Sequence, residues 1–128
     1  KFIQSQKASG PRVFLWGGET TVNVTGTGRG GRNQELALRV ALLLKNTPGN
    51  WVFLSGGTDG RDGPTDAAGG LIDAKTIERI ETAGGDIEQL LTNSDSYHAL
   101  SMANALLVTG ATGTNVADVQ VFVSDSLD

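Results

Sequence analysis

Cysteine is absent from this sequence and histidine occurs once, as His98, which excludes disulfides, thiolate nucleophiles, Cys-based metal sites and a His-rich metal cluster together. Proline is scarce, with 3 residues against 18 glycines, and 38% of the chain is hydrophobic. Those proportions rule out collagen-like and disordered chains and favour a loop-rich α/β globule. Excess basic charge is missing too: the net charge is −4, with no Lys/Arg cluster, which argues against nucleic acid or an anionic membrane as partner. No apolar run is long enough to cross a bilayer, and KFIQSQKASG at the start has no signal-peptide core. A cytoplasmic enzyme is the expectation that fits these absences. The 128 residues suffice for a single domain, which at this size buries roughly two thirds of its unfolded surface, and leave no room for a second. The chain opens at Lys1 without Met, so we expect the C-terminal piece of something longer, with residues 1–11 as a lead-in from a missing domain.

What is abundant is glycine in loops. Residues 26–33 read GTGRGGRN, and Arg32 and Asn33 open a stretch of helical periodicity. Glycine lets backbone approach a ligand closely, and a helix start offers unpaired N–H donors and the positive end of its dipole, so this is a candidate anion site. Two further loops of similar character follow expected strands: SGGTDGRDGPTDAAGG (55–70) and VTGATGTN (108–115). Together they suggest chemistry on a polar, phosphorylated small molecule.

The apolar pattern predicts short strands at Arg12–Trp16, Thr20–Thr25, Trp51–Leu54, Leu106–Thr109 and Val119–Ser124. A helix is predicted over Arg32–Leu44, with Leu36, Val40, Leu43 and Leu44 at helical spacing and Glu35 in the first turn. Asp73 is read as the cap of a helix reaching about Ala83, Asp86 with Gln89 as a capping-box pattern for a second, and Ser94 or Asp95 as the cap of a third reaching about Asn104. Strands and helices interleave, so the fold class is α/β: a layered, mixed sheet with helices packed on it and glycine-rich loops at strand ends. Trp16 and Trp51 read as core, and His98 as packing or surface rather than a general base.

Two familiar phosphate motifs fail on particular residues. Gly26, Gly28 and Gly31 satisfy G-x-G-x-x-G, yet the acidic residue that would hold a ribose about 20 positions on is missing. Gly26 and Gly31 also have P-loop spacing, but Arg32 and Asn33 stand where Lys and Ser/Thr belong. In the second loop Asp59, Asp62 and Asp66 are candidates to ligate Mg²⁺ or orient a hydroxyl, without the order of an EF-hand. In the third, Thr112, Thr114 and Asn115 follow a strand and could line the same crevice, with Asp118 bracing it or capping the next element.

GGETTVNVTGTGRGGRNQELAL (17–38), GGTDGRDGPTDAAGG (56–70) and TGATGTNVADVQV (109–121), in that order and spacing, resemble the C-terminal MOFRL domain of the class II glycerate kinases. The likeness covers nearly the whole chain. It implies an enzyme that uses ATP and Mg²⁺ to phosphorylate D-glycerate at O2, in a cleft between this domain and a larger, covalently attached, Rossmann-like N-terminal domain. Residue by residue, it implies Arg32 as the catalytic arginine. Gly28, Gly30, Gly31, Asn33 and Glu35, with Thr112, Gly113, Thr114 and Asn115, would bind substrate and phosphate. Thr58, Asp59, Gly60, Asp62 and Thr65 would line the nucleotide side, with Asp59 and Asp62 as metal ligands. Ala111 stands where the family usually has Pro, which loosens that turn. No lysine lies in any glycine loop, so the likeness implies that a needed lysine and acid come from the other domain and that this chain alone is inactive. Two alternatives stand beside it: an NAD(P)H-dependent hydroxypyruvate reductase, which the resemblance brings in and the missing ribose acid speaks against, and a stand-alone phospho-ligand-binding or regulatory module.

Overall fold

In the computed structural model, residues 11–18 and 24–125 are described. Five strands, β1 (Arg12–Gly18), β2 (Trp51–Gly57), β3 (Gly69–Asp73), β4 (Leu106–Leu107) and β5 (Asp118–Ser124), form one sheet in the order β1-β5-β2-β3-β4. Four helices, α1 (Arg32–Leu43), α2 (Thr76–Thr82), α3 (Ile87–Thr92) and α4 (Ser96–Met102), complete the described elements. The layered α/β arrangement is as expected, and the sheet goes further than the mixture anticipated: every described pairing is antiparallel.

Period-2 alternation decides which side of each strand is buried. Phe122 at the centre of β5 is fully buried between Phe14 and Trp51, with ring centroids 6.1 Å away on each side. Phe53, Ile72 and residues of α1, α2 and α4, including Leu38, Ile80 and Leu100, close the core over that face. Trp51 is core as expected, and Trp16 packs at its margin. On the opposite face, Val13, Val123 and Val52 line up across three strands, as do Leu15, Val121, Leu54 and Leu71 across four. Val13 and Leu15 are each 69% exposed, so this side of the sheet is apolar and uncovered by the described residues.

Helix α1 lies against the sheet, with Leu44 of the expected apolar residues in the core and Leu36 and Val40 packed at its margin. Ala37, Leu38 and Ala41 are buried, whereas Leu36 and Val40 are half-buried and Leu43 is exposed. Ala37 faces Gly70 because α1 runs close over β3: a Cβ placed on Gly70 would lie 2.7 Å from Ala37 Cβ and 2.9 Å from a Leu100 methyl.

Strand β3 corrects the expectation of an unstructured 55–70 loop. Gly69 and Gly70 sit inside the ladder, paired with Gly56 and Ser55, because only a residue without a side chain fits there: a Cβ on Gly69 would fall onto the Ser55 carbonyl. The second loop therefore shrinks to residues 58–68. Asp73 ends β3 instead of capping a helix, and its Oδ1 accepts from Lys75 N at 2.9 Å. Asp86 does cap α3, accepting from Gln89 N at 3.2 Å. The strand expected over Thr20–Thr25 falls largely outside the described residues, and Val24 and Thr25 are not in a strand.

The register brings all three glycine loops to one end of the sheet. Gly18, Asp118 and Gly57 are cross-strand neighbours, as are Gly56, Gly69 and Leu107. Loop 24–31 enters α1, loop 58–68 leaves β2, and loop 108–117 leads from β4 into β5.

Candidate functional site

The first loop does not offer bare backbone to solvent. Thr25 N donates to Ser94 Oγ (2.9 Å), Thr27 N to Asn93 Oδ1 (3.0 Å), Gly28 N to Asn93 O (2.9 Å) and Arg29 N to Asp95 Oδ1 (3.1 Å). Of the two expected caps, Asp95 stands at the N-cap of α4, but its side chain, like that of Ser94, serves as an acceptor for this loop. Side chains at Gly26, Gly28, Gly30 or Gly31 would collide with Asn93, Asp95, Ser96 and Asp62 respectively. The glycines thus let the loop lie flat on the α3–α4 junction. Among the described residues, the N–H groups of Gly30 and Gly31 make no hydrogen bond, and they border a hollow of about 160 Å³ that Glu35, Pro64 and Ser96 also line.

The start of α1 does hold negative charge, and the charge is the protein's own. Asp62, 1% exposed, reaches over from the second loop. Its Oδ1 accepts from Asn33 N (3.0 Å) and Asn33 Nδ2 (3.2 Å), and its Oδ2 from Gln34 N (2.8 Å) and Gln34 Nε2 (2.9 Å). One carboxylate so satisfies two orphan donors of the first turn and meets the positive end of the helix dipole. Ser55 Oγ donates to Asn33 Oδ1 (2.7 Å), and Gln34 Nε2 reaches Thr65 Oγ1 (3.0 Å), closing a buried polar knot that locks loop to helix. Gln34 and Ser55 were not among the residues singled out from sequence. Gln34 sits inside the GGRNQE run, but nothing in that run says its amide turns inward.

At the mouth of this knot Arg32 meets Asp118. Nε donates to Oδ2 at 2.7 Å and Nη2 to Oδ1 at 3.0 Å, a two-pronged pair in which the aspartate side chain is fully buried and the arginine 34% exposed. Asp118, expected to brace the third loop or cap the next element, holds Arg32. Such a fork fixes the plane of the guanidinium as well as its position.

The second and third loops are laced together. Thr58 Oγ1 donates to Ala117 O (2.7 Å) and accepts from Val116 N (2.8 Å), while Thr112 Oγ1 donates to Thr58 O. Gly60, with φ +88°, presses against the Gly110 carbonyl, where a Cβ would overlap it. Asn115 Oδ1 accepts from Ala117 N (3.2 Å), and Gly113 supplies a positive φ of +79° at the tip. Asp59 Oδ1 accepts from Arg61 N (3.0 Å). Glu35 is ion-paired with Arg39 one helical turn on, at 3.1 Å. Thr58, Asp62, Thr65, Arg32, Asn33 and Gly31 thus belong to one connected assembly, and Thr112, Thr114 and Asn115 lie on its exposed rim.

Magnesium is a poor fit to this chain taken alone. Among the described residues no three His, Cys, Asp or Glu side chains gather as a metal cage, and both Asp62 oxygens already accept from N–H donors. Asp66 is turned away, accepting from Tyr97 Oη at 2.8 Å. That hydrogen bond is the main cause of a raised Tyr97 pKa, since it favours the neutral phenol; Arg29 stands 4.4 Å over the same ring. His98 is exposed beside Asp95, with Nδ1 3.4 Å from Oδ2, and takes no part in the assembly.

An open α/β sheet with three interlocked glycine loops at one end, organised around an anchored arginine, defines the class of domain. The chain belongs to the MOFRL family, whose model matches residues 12–118. It is 53% identical over 109 residues to a D-glycerate 2-kinase of Thermotoga maritima, an alignment covering 85% of this chain and 26% of that protein. It is 50% identical over 119 residues to a glycerate kinase of Danio rerio, covering 89% of this chain and 24% of that one. The crystal structure of a Thermotoga maritima glycerate kinase superimposes with a TM-score of 0.84 at 51% identity, covering 88% of this chain and 27% of that chain. A Pyrococcus horikoshii protein superimposes with a TM-score of 0.83 at 42% identity, covering 89% and 26%. The chain therefore spans about a quarter of the length of the curated relatives it matches. Neither a reductase nor a stand-alone module gains support from these likenesses.

Proposed function

We infer that this chain is the C-terminal, arginine-bearing part of an ATP-dependent glycerate 2-kinase that converts D-glycerate to 2-phosphoglycerate in a cleft shared with a larger, Rossmann-like N-terminal domain. The observation that carries this reading is the placement of Arg32, the first residue of α1 directly after Gly31, with its guanidinium held by Asp118. Relatives named glycerate kinase along most of the chain support the same assignment.

In the reaction the C2 hydroxyl oxygen attacks the γ-phosphorus of ATP, the bond to the ADP oxygen breaks, and the hydroxyl proton is lost. The transition state spreads negative charge over the transferring oxygens, and catalysis is mainly positioning and charge stabilisation. Arg32 supplies the cation from this side. Gly28, Gly30, Gly31, Asn33, Glu35 and the rim residues Thr112, Gly113, Thr114 and Asn115 shape the substrate side. Thr58, Asp59, Gly60 and Thr65 shape the nucleotide side. Asp62 has a positional share: it sets the α1 start from which Arg32 projects. The described carboxylates do not make a magnesium site by themselves.

The test is Arg32→Ala in the full-length protein, with ATP-dependent formation of 2-phosphoglycerate as the assay. We expect kcat to fall by at least ~100-fold, the scale for loss of one transition-state charge contact, and the isolated 128-residue chain to show no turnover. Near-normal turnover in the variant would remove Arg32 from the mechanism.

A further inference from the structure

We propose that Asp118 is a positioning residue for phosphoryl transfer, acting through Arg32 by fixing where its guanidinium points. The proposal rests on the kinase reading above. Its own support is the geometry of the pair: two near-parallel hydrogen bonds of 2.7 and 3.0 Å from Nε and Nη2 leave the guanidinium one plane and one direction.

Both ends of the pair stand on fixed backbone. Asp118 opens β5, a strand laddered on both sides, with Gly18 opposite it in β1 and Gly57 opposite it in β2. Arg32 is the first residue of α1, and the next two N–H groups of that helix are held by Asp62. A side chain with this many rotamers loses its freedom before any ligand arrives, so that ordering cost is not charged to the transition state.

A buried carboxylate beside a phosphate site is a paradox if only charge counts, because it subtracts from the attraction Arg32 offers an anion. Orientation resolves it. The two ideas predict opposite results for Asp118→Asn, which nearly preserves shape and removes the negative charge. If charge alone mattered, binding of the phosphoryl donor and kcat would be unchanged or improved.

The experiment is steady-state kinetics of the full-length kinase with Asp118→Asn, Arg32→Ala and the double variant, alongside Asp118→Glu. We expect Asp118→Asn to lower kcat by about 10- to 100-fold, the scale of an ångström-sized misplacement, with KM for ATP unchanged or lower. In the Arg32→Ala background the same change should cost less than about 2-fold, because the residue it serves is gone. Asp118→Glu keeps the charge but shifts the carboxylate by one methylene and should also lower kcat; it carries the test if the asparagine variant does not fold. Unchanged kcat in a folded Asp118 variant, or losses that simply multiply in the double variant, would overturn the positioning role while leaving Arg32 in place. Wild-type turnover by Arg32→Ala would instead overturn the kinase assignment of Arg32 itself.

Discussion

Asp62 shows how much one side chain settles. Four N–H donors from Asn33 and Gln34 converge on it in a site closed to water. Removing the acceptor strands buried donors, each costing about 1–3 kcal/mol. Asp62→Ala should therefore lower stability by about 3 kcal/mol or more in equilibrium urea unfolding, with the loss insensitive to added Mg²⁺. A midpoint that rises with Mg²⁺ in the parent but not in the variant would instead mark this carboxylate as a metal ligand. The aspartate itself was legible in the sequence, as a carboxylate in a glycine-rich loop; its partner was not. Spacing cannot tell which loop folds over which helix start, so a backbone apparently open to a ligand proved to be met from within.

Elements were legible where a single period dominates. Arg12–Trp16, Trp51–Leu54, Val119–Ser124 and the helix from Arg32 follow from alternation or helical spacing, and each is present. Strand β3 was hidden because Gly69 and Gly70 look like punctuation, while their job is to let α1 and the β2 backbone come close. Asp95 does stand at the N-cap of α4, but its side chain and that of Ser94 bond elsewhere for a related reason: a short polar side chain accepts from any N–H nearby, and here the nearest belong to the first glycine loop. The tight α1–β3 contact has a measurable consequence. Gly70→Ala forces a methyl against Ala37 and Leu100, and such overpacking typically costs about 1–3 kcal/mol. A chemical-denaturation midpoint equal to that of the parent would mean the helix can lift away freely.

For the molecule as a whole, the sheet face left uncovered by the described residues is the feature with solution consequences. Val13, Leu15, Val52, Leu71 and Val123 all lie on it exposed, and contiguous apolar patches of this kind drive association. The chain expressed alone should self-associate with rising concentration in sedimentation velocity, and Leu15→Lys with Val123→Lys should shift it toward monomer without loss of helical signal by circular dichroism. A parent that stays monomeric at high concentration would show the face to be innocuous.

The strand order adds a matter of timing. Because β5 lies between β1 and β2 and pairs with both, an inner strand of the sheet is the last of the described strands to leave a ribosome. A nascent chain holding everything up to the third loop lacks both the strand that pairs with β1 among the described residues and the carboxylate that forks Arg32. Assembly of the scaffold and orientation of Arg32 thus arrive in one event, and a premature stop ahead of Asp118 forfeits both at once.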